Sequence, residues 1–271
     1  MSYRTRLIFE QVFKTGREIE AITFINPTVA APFPAIQRLF GYLAQNAAAV
    51  AAFNDTYALR GIFKTAATTD PTFFTAITAH HVPLILASLS AVAGRDLVPL
   101  HAELNVNFRL IDYTPATASP ASQNGCGAHT DYGTFSIIFQ DGTAGLEMET
   151  PGAPGVWVPV PGDATVLLCG WCAVVLSGGK MAAARHRVRR VPGVRRLSAV
   201  LFVAPDLDVK MAPAERVEVF SETVNKGLFD VRWFKEVMGK KWRYREGNEK
   251  LGAGEDNVIE QDVEVEGLIW K

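Results

Sequence analysis

Cysteine is scarce in this chain. The three present (Cys126, Cys169 and Cys172) are odd in number and lack scaffold-like spacing, which excludes a disulfide framework and favours a reducing compartment. Histidine is nearly as rare: five residues, so any imidazole-based metal site has few candidates. A charge excess is missing too, with 27 Lys and Arg against 28 Asp and Glu. That removes the electrostatic footprint of a nucleic-acid binder and any pull toward an anionic membrane. No apolar run reaches the roughly 18 residues a membrane span needs. The opening "MSYRTRLIFEQVF" is too charged and interrupted for a secretory signal. A cytoplasmic protein with no membrane or nucleic-acid partner is the expectation. No repeat or low-complexity tract occurs, and nothing in the composition speaks to oligomeric state.

What is present suffices for a sizeable core, since 48% of 271 residues are hydrophobic. The first hundred residues look mostly helical. Ile36, Leu39, Phe40 and Leu43 fall at i, i+3, i+4 and i+7, one stripe of a helix. A second helix opens with Asp70 as N-cap and Pro71 at its first position, and Gly94 is its expected stop. Pro83 should kink or divide that helix. His80, His81 and His101 are assigned to packing or solvent. Adjacent helical residues point about 100° apart, so His80 and His81 are poorly placed to share a metal.

From about residue 103 the period changes to two. In "ELNVNFRLIDY", Leu104, Val106, Phe108 and Leu110 share one face, with Asn105, Asn107 and Arg109 on the other. Strand-like runs follow at short intervals: "TFSIIFQ", "GLEMET", "GVWVPV", "ATVLLCGW", "HRVRRV" and "RRLSAVLFV". Gly- and Pro-bearing turns separate them, which indicates a sandwich or barrel. The CxxC of Cys169 and Cys172 lies in "TVLLCGWCAVVL", which reads as a buried strand, so core packing is expected rather than redox or zinc chemistry. Beyond about 215 the pattern is helical again. Eight carboxylates then fall between Glu246 and Glu266 against one lysine, predicting a solvated tail, with a flap over a site as the lesser reading. The expected organisation is a helical region over 1–102, a β-rich core over 103–215 and a C-terminal helix and acidic tail over 216–271, together one structural domain.

His129 and Asp131 stand two apart, and on a strand i and i+2 face the same way. An HxD pair alone is weak evidence. The one other histidine of the β-rich half is His186. Two imidazoles and a carboxylate on one face make the facial triad of non-haem Fe(II) sites, which leaves positions for substrate, cosubstrate and O₂. Ten residues on, Arg196 and Ser198 are again i and i+2. A guanidinium grips a carboxylate with two prongs, and a neighbouring hydroxyl can add a third hydrogen bond. Seven Lys and Arg between Lys180 and Arg196 read as a solvated hairpin, or else as a collar for an anionic substrate.

"HTDYGTFSIIFQDGTAGLEME", "VWVPVPGDATVLLCG", "LSGGKMAAARHRV" and "RRLSAVLFVAP" occur in that order. Over roughly residues 103–206 the chain resembles the Fe(II)/2-oxoglutarate-dependent dioxygenases. The closest look is to the isopenicillin N synthase-like group, and within it the cephalosporin ring-expanding type. The resemblance implies a double-stranded β-helix (jelly roll) core flanked by helices. It makes His129, Asp131 and His186 iron ligands and puts Arg196 and Ser198 on the carboxylate of 2-oxoglutarate. The implied reaction activates O₂ to oxidise a C–H bond of a small-molecule metabolite by hydroxylation, desaturation or ring chemistry, releasing succinate and CO₂. The family's usual opening strand and helix is not found, and by the resemblance the chain is expected to begin part-way into the family pattern. The family often has Tyr before Pro on the strand ahead of the metal motif, where "IDYTP" has Thr114. By that alignment Asp112 and Thr114 face the cavity with Phe108, Phe202 forms an apolar wall, and Arg109 is left outside. Three alternatives stay open: an oxidase of isopenicillin N synthase type that needs no 2-oxoglutarate, a catalytically silent jelly-roll binding protein, and a zinc hydrolase.

Overall fold

The computed structural model describes residues 13–14, 18–19, 21–24, 77–113, 124–239 and 259–271. The helix expected around 36–43, the N-cap at Asp70 and residue Thr114 lie outside these. Strands β1 (Phe13–Lys14), β2 (Glu18–Ile19) and β3 (Ala21–Phe24) lie within the stretch expected to be helical. The reason is tertiary: β3 pairs antiparallel along β9, whose edge would otherwise present unpaired backbone groups. Helix α1 (Val82–Ala93) follows a π-turn at Ile77–His81, has Pro in its first turn and stops at Gly94 with φ 68°. Pro83 thus divides the segment as expected, because it lacks the N–H that a continuous helix would use. His80 is exposed and His81 half-buried.

Eight further strands build two antiparallel sheets. They are β4 (Val106–Tyr113), β5 (Asn124–His129), β6 (Phe135–Gln140), β7 (Leu146–Glu149), β8 (Trp157–Pro159), β9 (Thr165–Cys169), β10 (His186–Arg189) and β11 (Arg196–Val203). One sheet runs β5-β10-β7-β8 and the other β3-β9-β6-β11-β4. The chain crosses between the sheets after each of β4, β5, β6, β8, β9 and β10, and only β7 and β8 follow one another within one sheet. This is the expected jelly roll, two facing sheets of Greek-key connectivity.

Alternation blurs in the larger sheet because both of its faces are covered. All six residues of β6 are buried. Phe135, Ile137 and Phe139 join a core beneath helices, while Ile138 joins the core between the sheets. Along β11, Leu197, Ala199, Leu201 and Val203 go outward, and Val200 goes inward with Phe202 packed beside it. Burying each of these large apolar side chains contributes about 1.5–3 kcal/mol.

The outer core is roofed by α1, α2 (Trp171–Leu176), α4 (231–239) and α5 (Ile259–Ile269), with the short α3 (Glu222–Asn225) alongside. Two expectations change here. "WCAVVL" is helix rather than strand, since the chain turns at Gly170 to cover Cys169. Residues 259–269 of the acidic stretch form a helix whose Val265 and Ile269 are buried in the outer core, not a solvated tail. They pack away from the space between the sheets, which also removes the flap reading for this helix. Among the described residues no helix is long and apolar enough to cross a membrane.

Candidate metal centre

β5 ends at His129, and Asp131 lies in the turn beyond it, so strand alternation is not what brings the pair together. The turn itself does this, and α2 holds the turn. Trp171 N–H donates to the Asp131 carbonyl at 3.0 Å, Cys172 N–H donates to Tyr132 and Gly133, and Trp171 Nε1–H donates to Thr130 Oγ1 at 2.8 Å. Gly170 is required by proximity, since a Cβ there would sit 2.5 Å from the Gly133 oxygen and 2.6 Å from that of Asp131. β10 lies beside β5 with His186 paired opposite His129, and the two imidazole centroids are 4.2 Å apart.

One ligand atom from each of His129, Asp131 and His186 lies within 4.8 Å of the others, and all three residues are buried. The tautomers are preset. His129 Nδ1–H donates to the Gly127 carbonyl at 2.8 Å and His186 Nδ1–H to that of Ala184 at 3.0 Å, leaving each Nε2 lone pair for a metal. Asp131 Oδ1 is 3.8 Å from His129 Nε2, and its Oδ2 accepts the Ser136 hydroxyl. Two nitrogens and one oxygen on one side, with outer hydrogen bonds in place, fit a ferrous ion with open positions.

Arg196 and Ser198, buried on β11 of the larger sheet with their side chains on the register face of Val200, fit a carboxylate. Arg196 Nη2–H donates to Gln140 Oε1 at 3.0 Å, but its Nε and Nη1 are buried and meet no hydrogen-bond partner among the described residues. A buried donor without a partner costs about 1–3 kcal/mol, which an incoming anion would relieve. Burial lowers the guanidinium's pKa from its ordinary value, while Tyr113 and Asp141 support the charge. Gln140, fully buried, donates its amide to the carbonyls of Pro161 and Ala164, both at 2.9 Å, so its oxygen is fixed on Arg196. The sequence reading missed Gln140. Its position at the end of an apolar strand, paired opposite Ser198, was the available signal.

The inner and outer faces of β4 are the reverse of the expectation. Pairing sets Tyr113 opposite Arg196, Ile111 opposite Ser198 and Arg109 opposite Val200. Phe108 lies in the outer core and is not a cavity residue. Position 112 pairs with Leu197 in the backbone register, and the Asp112 side chain lies outside the described ones. The alternation was legible, but the more apolar face went under the helices and left the polar-bearing face for the cavity. Arg109 therefore belongs inside, with its guanidinium carbon 5.2 Å from the Phe202 ring centroid. Phe202 lies on that face, as expected.

The remaining candidates are structural. His101 is buried between the Leu97 carbonyl at 2.8 Å and Thr134 Oγ1 at 2.7 Å. Cys169 and Cys172 are fully buried, and burial pushes the Cys169 thiol up to about 12 and raises that of Cys172 as well. Arg185 and Arg187 are no collar: they pair with Glu149 at 3.0 Å and Glu147 at 2.6 Å beside the Trp157 ring.

Residues 104–205 match the family model of the 2OG-Fe(II) oxygenase superfamily. Over 114 residues the chain is 38% identical to 2-oxoglutarate-dependent dioxygenase tropC of Talaromyces stipitatus, covering 41% of this chain and 34% of that protein. Over 107 residues it is 33% identical to scopoletin 8-hydroxylase of Arabidopsis thaliana, covering 40% and 30% respectively. The chain thus spans about a third of the length of these curated relatives. The finer likeness to ring-expanding enzymes has no support from either. Among solved structures, a rice dioxygenase for auxin oxidation aligns at TM-score 0.48 and 24% identity, covering 65% of this chain and 58% of that one.

Proposed function

We propose that this chain is an oxygenase that uses Fe(II), 2-oxoglutarate and O₂ to oxidise a C–H bond of a small metabolite. The observation that carries it is the buried His129–Asp131–His186 cluster, whose ligand atoms lie within 4.8 Å, together with the buried Arg196 guanidinium on the facing sheet, which keeps two donors unpartnered among the described residues. The names of the curated relatives, a 2-oxoglutarate-dependent dioxygenase and a hydroxylase, support the same reading.

Ferrous iron held by His129, Asp131 and His186 would supply dioxygen activation, coupling conversion of 2-oxoglutarate to succinate and CO₂ with oxidation of the substrate by the second oxygen atom. The chain's part is positional. Carbonyls 127 and 184 hold both imidazoles in the metal-binding tautomer, and Ser136 orients the Asp131 carboxylate. Arg196, steadied by Gln140, would hold the distal carboxylate of 2-oxoglutarate with Ser198 beside it. Ile138, Leu146, Val166, Leu168, Val188 and Val200 exclude water between the sheets.

The test is to load the protein with Fe(II), supply 2-oxoglutarate and a metabolite panel, and measure succinate formed against O₂ consumed. Equal amounts of the two are expected. Substrate oxidation without succinate would replace the proposal with an oxidase of isopenicillin N synthase type, and no Fe(II)-dependent O₂ uptake would leave a binding protein.

A further inference from the structure

We propose that Arg109 selects the primary substrate, and that this substrate is a small amphipathic acid whose anionic group pairs with the Arg109 guanidinium while its apolar body lies against Phe202. The inference rests on the oxygenase reading and adds a substrate class to it.

Register places Arg109 on the inner face of β4, opposite Val200 and four residues from the Arg196–Tyr113 pair, roughly 13 Å along the strand. The two guanidiniums diverge. Arg196 turns toward Tyr113 and Gln140, whereas Arg109 lies over the Phe202 ring. Two positive groups set apart in this way call for two anions, and the 2-oxoglutarate carboxylate accounts for only one. Phe202 pairs across β11 and β6 with Ser136, whose hydroxyl binds Asp131, so Arg109 is one aromatic ring and one strand removed from the metal ligands. An acid held by Arg109 would present its neighbouring carbons to the metal side.

Among the described residues no carboxylate neutralises Arg109. Its Nε is buried and meets no hydrogen-bond partner among them. Arg185 and Arg187, on the outer face of the smaller sheet, each have a glutamate. Natural folds rarely leave a guanidinium donor buried without an acceptor unless a ligand supplies one. A second cation stands nearby. Lys235 of α4 has its Nζ 5.9 Å from the Tyr132 ring centroid, beside the Asp131 turn, and donates to Asn105 Oδ1 at 3.4 Å.

The experiment compares wild type, Arg109→Gln and Arg109→Lys, each loaded anaerobically with Fe(II) and 2-oxoglutarate. The probes are small aryl and alkyl carboxylic acids beside their methyl esters, starting with phenylacetate and methyl phenylacetate. The readouts are perturbation of the visible Fe(II)–2-oxoglutarate absorption band and, once air is admitted, succinate release. Acids should outcompete their esters on wild type. Arg109→Gln should weaken the acids about tenfold or more while leaving esters and 2-oxoglutarate affinity unchanged, and Arg109→Lys should retain part of the preference. Esters acting as well as acids on wild type, no acid perturbing the band, or an unchanged acid-to-ester ratio in Arg109→Gln would each overturn the assignment. If wild type forms no band at all, the oxygenase reading itself fails. Should Arg109→Gln not fold, the wild-type ratio and Arg109→Lys still decide.

Discussion

His129, Asp131 and His186 are individually unremarkable in sequence; their value comes from hydrogen bonds made behind the binding atoms. Asp131→Ala and His186→Ala should each abolish stoichiometric Fe(II) binding, read by metal analysis after gel filtration. Ser136→Ala should weaken iron binding about 10–100-fold, because only the outer hydrogen bond to Asp131 is lost. His101 allows a prediction on pH. Burial lowers its pKa below the usual 6.5, outweighing the Leu97 carbonyl and Asp206, so the neutral ring is the folded form. The unfolded chain then binds the extra proton as pH drops below about 6.5. Stability contributed by His101 is present above that value and lost toward lower pH. The urea midpoint should fall between pH 7 and pH 5, and His101→Gln should flatten that slope; an unchanged slope would remove His101 as its cause.

The turn bearing Asp131 owes its shape to a neighbour distant in sequence, helix α2. Gly170→Ala would push a methyl group onto two carbonyl oxygens of that turn. It should cost roughly 2 kcal/mol or more and weaken Fe(II) binding, both measurable by thermal melting with and without metal. α5 makes a separable contribution. Ile269 is fully buried in the outer core, so Ile269→Ala should destabilise by about 2–5 kcal/mol in urea titration. Because α5 packs outside the larger sheet, the same variant should leave Fe(II) affinity unchanged at low temperature.

For the molecule as a whole, ligands that bind only the folded state must raise the melting temperature. At a hundredfold excess over its dissociation constant, a ligand adds about 2.7 kcal/mol, which for a chain of this size is roughly 5–10 °C. Fe(II), or Mn(II) as its air-stable substitute, should give one increment and 2-oxoglutarate a second. Arg196→Gln should keep the metal increment and lose that of 2-oxoglutarate. If both increments survive in Arg196→Gln, the carboxylate binds elsewhere.

Seven of the eight core strands and the candidate ligands were legible because they depend on local regularities: period-two runs, turn residues between them, and chemically distinctive pairs such as HxD and RxS. β5, the Gly-rich "NGCGAH", carries no such run. The triad needed only that His186 lie on the strand beside His129, and turn spacing left little alternative. Which face of β4 lines the cavity was not legible. Phe108 and Arg109 alternate whichever way the strand is mounted, and only the helices roofing the larger sheet made the apolar side the outer one. Gln140 was overlooked for the same reason, since its role exists only where Pro161, Ala164 and Arg196 converge on it. The helix formed by 259–269 was likewise hidden, because two buried side chains among exposed carboxylates gain stability only once a core is there to receive them. Side-chain chemistry and its period belong to the chain itself. The choice of inward or outward, and of paired or unpaired, is made by the surfaces that each element meets after folding, because only there does burial favour one face over the other.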